Sequence, residues 1–154
     1  MGLLNYTTKI DPDKTAAEIA RCLSMHGATA VMTEYDKEGG FVTSLSFKIS
    51  LNEQSMAFRL PCDWKPVYAI ITKGKKNPHW DEARKRRWIT DWEAQAVRTA
   101  WRIVKDWVEA QMALVETQMV TTAEVFLPYA VMPDDRTLSE HVKANPGFLL
   151  GDGK

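Results

Sequence analysis

The chain has 154 residues, with 20 Lys+Arg and 20 Asp+Glu, a length that suits one domain able to bury a core without metal or disulfide support. Its 45% hydrophobic residues and six Trp exclude a disordered chain, and its net charge of zero excludes a global pull toward nucleic acid or an anionic membrane. Two Cys exclude a disulfide framework and point to a reducing compartment.

The patterning predicts an α+β fold in the order β-α-β-β-β, an antiparallel sheet with an N-terminal helix, followed by a long amphipathic helix and short C-terminal helices. Asn5 to Ile10 alternates and reads as the first strand. Asp11-Pro12-Asp13 and Thr15-x-x-Glu18 supply N-cap chemistry for a helix over about 14–26, with Ala16, Ile19, Ala20 and Leu23 at helical spacing and Gly27 as its stop. Strands over Thr29 to Asp36, Val42 to Ile49 and Met56 to Leu60 follow as a meander, the first turn being Lys37-Glu38-Gly39-Gly40. Leu45, Phe47 and Ile49 share one face, and Ser44, Ser46 and Lys48 the other, so one face is expected to be buried. If the first strand pairs with these, Thr7, Lys9 and Arg59 join the polar outer face. That face lacks the stacking aromatics of an RNA-recognition sheet.

Asp63 caps a short helix over about 64–73, closed by Gly74. Lys73-Gly-Lys-Lys-Asn-Pro-His-Trp then interrupts all periodicity and reads as a loop or hinge. The capping box Thr90-Asp91-Trp92-Glu93 opens a helix expected to run to about Met119. Val97, Trp101, Val104, Val108, Gln111 and Val115 form one seam, and Ala100, Ile103, Trp107, Ala110 and Leu114 a second. Arg98, Arg102, Lys105, Asp106, Glu109 and Glu116 fall opposite. At 1.5 Å per residue such a helix spans about 42 Å, too long for a compact domain with a radius of gyration of about 15 Å. The helix is therefore expected to project, to break or, as the favoured reading, to pack on another copy of the chain, with Trp101, Val104, Trp107, Val108 and Met112 as the oligomer or core stripe. Capping boxes at Thr121–Glu124 and Thr137–Glu140 start short helices that stop at Pro128 or Pro133 and at Asn145-Pro146-Gly147, before an end expected to fray from Gly151 to Lys154. A single domain over 1–154 results, with a sheet-and-helix part over 1–61, a short helix and basic loop or hinge over 62–90, and a helical part over 91–150.

Enzymatic marks are missing. No G-x-S-x-G elbow, P-loop or dinucleotide-binding glycine motif occurs. Cys22 and His26, four apart on the first helix, could share an ion with Cys62, but no C-x-x-C or H-x₃-H pair supports a metal, and a half-buried Cys beside a helix-terminal His is the simpler reading. Glu34 and Asp36 lie on one strand face with Lys48 on the neighbouring strand, yet Ser46 stands where a sheet-borne Mg²⁺ nuclease wants an acid. His79 and His141 have no partner in reach by sequence. The chain is accordingly expected to be no enzyme and to hold no cofactor.

A binding surface is better supported. Between Lys73 and Arg87, seven cations (Lys73, Lys75, Lys76, Arg84, Lys85, Arg86 and Arg87) stand against Asp81 and Glu82, a net of five positive charges in a chain of zero total. Trp80 lies inside this segment, and Trp88 and Trp92 lie just after it. Cations that follow phosphates, interleaved with aromatics that stack bases, suit single-stranded nucleic acid. The competing reading is a solvated helix face anchored by Trp88 and Trp92.

His26-Gly27-Ala28, Glu34-Tyr35-Asp36, Phe58-Arg59-Leu60-Pro61, the run from Ala100 to Gln111 and Val125-Phe126-Leu127-Pro128-Tyr129 together resemble a family of uncharacterised proteins carried by bacteriophages and prophages. The resemblance covers most of the chain and is thinnest over the basic segment. It implies a phage origin and a place in the cytoplasm of the bacterial host, and it transfers no activity or catalytic residue. Two functions are then expected in order: a nucleic-acid-binding accessory protein using the seven cations and Trp80, and a protein-binding inhibitor of a host factor or defence complex (anti-CRISPR-like). The second would use acidic Glu34, Asp36, Glu38, Asp134 and Asp135 or the basic segment. The longest apolar run, Val67 to Ile71, is too short to span a membrane, and the start shows no signal peptide.

Overall fold

In the computed structural model, which describes residues 2–38 and 40–151, the element order is α1 (Pro12–Met25), β1 (Ala28–Tyr35), β2 (Val42–Leu51), β3 (Gln54–Arg59), α2 (Trp64–Thr72), α3 (Glu82–Glu116), α4 (Thr122–Phe126), a 3-10 turn (Leu127–Tyr129), α5 (Leu138–Ala144) and α6 (Gly147–Leu150). The fold is α+β, with one antiparallel sheet in the order β1-β2-β3. Gly39 of the expected first turn and residues 152–154 of the expected frayed end lie outside the described residues.

The expected first strand is absent. Residues 4–7 form turns, with Asn5 at φ 62, and residues 2–9 act as a strap on α3. Their carbonyls find side chains instead of a ladder: Gln95 Nε2 donates to Tyr6 and Thr8 oxygens at 2.9 Å each, and Thr99 Oγ1 donates to the Asn5 oxygen at 3.3 Å. Asn5 Nδ2 donates to Asp106 Oδ2 at 2.7 Å. Alternation alone cannot distinguish a strand from an extended strap, because the partner decides. Thr7 and Lys9 therefore lie off the sheet.

In α1, Asp11 is the N-cap, accepting from Asp13 N at 2.8 Å, while Thr15 is buried within the helix. The β2–β3 hairpin turns on Asn52 (φ 51) and Glu53 (φ 66), a two-residue loop with both residues left-handed, which fixes the pairing Phe47↔Phe58. Leu45, Phe47, Ile49, Phe58 and Leu60 are buried on one sheet face, as the alternation requires. The core joins them to Ile19 and Leu23 of α1, to Val97, Trp101, Val104, Val108 and Met112 of α3, and to Phe126. Phe126 meets Phe47 and Trp107 edge to face, with centroids 5.2 and 5.4 Å apart.

The long helix is longer than expected and begins elsewhere. It has 35 residues, about 52 Å, and starts at Asp81, whose Oδ1 accepts from Ala83 N and Arg84 N at 3.0 and 3.3 Å. Thr90 is mid-helix, with its hydroxyl donating to the Arg86 carbonyl at 2.9 Å, so Thr90–Glu93 caps nothing. The helix ends at Glu116, short of Met119, because Gln118 adopts φ 64. α2 packs against α3 as a helical hairpin. The stripe of Trp101 (2% exposed), Val104, Val108 and Met112 is consumed by the chain's own core, and Trp107 is half-buried beside it, while Ala110 of the second seam is exposed.

The polar side of α3 is covered as well. Glu18 of α1 pairs with Arg102 at 2.8 Å and Lys105 at 3.8 Å, and Lys105 reaches Glu109 at 2.6 Å. Charges expected to face water thus join α1 to α3. α4 and α5 begin at Thr121 and Thr137 with reciprocal capping boxes, as expected, and one extra turn, α6, follows Asn145-Pro146.

Candidate nucleic-acid interface

Arg84 to Arg87 lie on the first turns of α3, so residues 82–90 belong to the long helix and the hinge shrinks to the linker from Lys73 to Asp81. Asp63 caps α2 through Lys65 N at 3.0 Å, and Gly74 at φ 78 lets the chain leave α2, a backbone that only glycine takes without strain. Asp81 then fixes where α3 begins. An Asp followed by Glu82 in the first turn was a legible start signal, masked by the aperiodic residues before it.

Four consecutive helical residues fan through about 300°, so the four cations cannot share one face. Arg84, Arg86 and Arg87 are exposed, whereas Lys85 is half-buried. Arg84 sits 3.6 Å from Asp81 and Arg87 sits 4.0 Å from Asp91, both in solvent where such pairs are weak. Lys73 and Lys76 are exposed, and among the described residues neither they nor Arg86 form an ion pair. Trp80, 71% exposed, stands in the linker between the two cation groups and meets the His79 ring edge to face, at 5.4 Å. Trp88 and Trp92 are half-buried, 6.4 Å apart, and Lys75 Nζ lies 4.5 Å above the Trp92 ring. Burial and the Glu93 carboxylate raise the Tyr68 hydroxyl on α2.

A cleft of about 560 Å³ opens where the hairpin meets the strap. Leu3, Tyr6, Ile70, Ile71 and Trp92 line it, with Lys9, Lys75, Arg98 and Asp91 among its polar residues. Only Lys75 of these belongs to the expected interface. Sequence reading missed the rest because no local spacing links the strap to α3: Tyr6 and Gln95 are 89 residues apart.

The other candidates separate. His26 Nδ1 lies 2.7 Å from the Cys22 oxygen and Nε2 lies 2.7 Å from Glu116 Oε1, so both ring nitrogens are engaged. No group of three or more metal-ligating side chains occurs among the described residues. Glu34 pairs with Ser44 and Lys48 with Ala30, four positions along the ladder, about 13 Å, so the strand acids and Lys48 form no joint site. On the sheet's outer face Arg59 is held by Asp135 at 2.9 Å, beside a hollow of about 290 Å³. His141 Nε2 lies 2.9 Å from Asp134 Oδ1, and His141 with Arg136 holds the Asp134 carboxyl well below the usual carboxylate range. No helix among the described residues is long and apolar enough to cross a membrane.

No family model matches this sequence, and no curated protein or solved structure is detectably similar to it.

Proposed function

We propose that this protein is a non-enzymatic accessory factor that binds nucleic acid through the α2–α3 hairpin. The carrying observation is Trp80: a large aromatic, 71% exposed, in the linker that follows Lys73, Lys75 and Lys76 in the chain and precedes Arg84 to Arg87. A lone indole in water gains nothing from the fold, whereas between cations it is a stacking platform beside phosphate contacts. The resemblance to phage and prophage proteins supports a site of action in the bacterial cytoplasm.

A salt titration with a labelled single strand and a duplex tests this. A slope of roughly −3 to −5 in log K against log salt is expected on the single strand, since each phosphate contact contributes about 0.7. No binding at low salt would refute the reading.

A second reading, a protein-binding inhibitor of a host factor, draws on β1, where Met32 and Tyr35 are each 56% exposed on either side of exposed Glu34. A stable complex with a host protein in nuclease-treated extract, abolished by Met32→Glu, would favour it.

A further inference from the structure

The cleft beneath the strap extends the proposed interface, and the inference that follows rests on that reading. Its volume of about 560 Å³ falls within the ~300–1,000 Å³ of small-molecule sites, and its wall is apolar and aromatic. Three cations line it against one carboxylate, Asp91, which already faces Arg87 at 4.0 Å. The three come from three separate parts of the chain: Lys9 from the strap, Lys75 from the linker and Arg98 from α3. Arg98 Nη2 donates to Gln95 Oε1 at 2.6 Å, but its Nε is buried without a hydrogen-bond partner among the described residues. The Arg98 side chain thus brings a fixed positive charge to the cleft wall, where an anion is favoured. Lys75 belongs to both the cleft and the basic segment, so the two surfaces are continuous.

We propose that this cleft seats one unstacked base of a single strand, with Lys9, Lys75 and Arg98 meeting the flanking phosphates. The Tyr6 and Trp92 rings and the Ile70 and Ile71 side chains supply the stacking and apolar walls. The Gln95 amide reads no base edge: both its hydrogens go to strap carbonyls and its oxygen to Arg98. The site therefore selects an unpaired base over a paired one without choosing its identity. A duplex, whose bases stay stacked, meets only the exposed cations.

The test compares a twelve-nucleotide oligo-dT with an abasic strand of equal length, which keeps phosphates and lacks bases. Stacking of about 1–3 kcal/mol per base predicts that the parent prefers oligo-dT by roughly 5- to 160-fold. Trp80→Ala removes the exposed indole and leaves the cleft, so the preference persists. On that Trp80→Ala background, where the linker indole stacks no base, Ile70→Lys, at a side chain 56% exposed, removes an apolar wall while adding a cation. Charge alone would tighten binding of both strands; the cleft predicts loss of the preference for oligo-dT. A preference that survives Ile70→Lys overturns the cleft while leaving the basic hairpin standing. Failure of the parent to bind either strand overturns the hairpin reading and the cleft with it.

Discussion

His26 and Glu116, 90 residues apart, meet with Nε2 and Oε1 2.7 Å from each other. Nδ1 of the same ring lies 2.7 Å from the Cys22 carbonyl oxygen. Two acceptors facing two ring nitrogens are both satisfied only by imidazolium. The contact ties the C-cap of α1 to the end of α3, next to Gly27, whose φ of 99 turns the chain into β1.

The Cys22 carbonyl first, then the Glu116 carboxylate, raise His26 above its ordinary value of 6.5, against the effect of burial. A group raised on folding contributes stability that is fully present below its unfolded value and is lost as pH rises through its folded value. Melting temperature should therefore fall above about pH 6.5, and His26→Gln should lose that component. Equal pH profiles for parent and variant would show that the pair stabilises nothing.

Trp101 is 2% exposed, and its Nε1 donates to the Val42 carbonyl at 3.0 Å. Trp101→Ala should cost roughly 3–5 kcal/mol in denaturant unfolding. Trp101→Phe keeps most of the packing but orphans the Val42 oxygen, at about 1–3 kcal/mol. A Phe variant as stable as the parent would mean that the carbonyl finds another donor.

Glu53 holds φ 66 in the two-residue loop between β2 and β3. That region costs a non-glycine residue roughly 1–2 kcal/mol, so Glu53→Gly should raise stability by about 1 kcal/mol. A decrease in the chemical-denaturation midpoint would contradict the turn geometry.

Burial pushes the Cys62 thiol up to about 12, with Asp63 adding to it, and burial also raises Cys22. Thiolate is the reactive form, so neither should react quickly with a disulfide reagent at pH 7.5 in the folded protein, and both should react on unfolding. Fast labelling of the native chain would disprove this.

Arg84, Arg86 and Arg87 are exposed, and replacing all three by Ala should leave the melting curve nearly unchanged, since exposed substitutions shift stability by about 0.5 kcal/mol or less each. Nucleic-acid affinity and its salt slope should both drop. Binding that is unaltered in this variant would remove the hairpin from the interface.

The sequence by itself determined the elements that carry their own boundary chemistry. Thr121 and Thr137 open helices with reciprocal caps, Gly27 and Gly74 mark exits, and the alternation of Leu45, Phe47 and Ile49 sets which sheet face is buried. Each signal is local: a cap, a left-handed residue or a period acts within a few residues. The basic segment and the place of Trp80 within it were legible for the same reason, whereas the exposure of Trp80 was not.

Only the tertiary structure decided where extended or amphipathic chain finds its partner. Asn5 to Ile10 alternates like a strand but has its carbonyls taken by Gln95 and Thr99, so it becomes a strap. Arg102 and Lys105 lie on a polar face that Glu18 covers, and α2 packs against α3. The cleft of Lys9, Lys75 and Arg98 exists because these long-range contacts draw three distant segments together, and no periodicity within any one of them records that meeting.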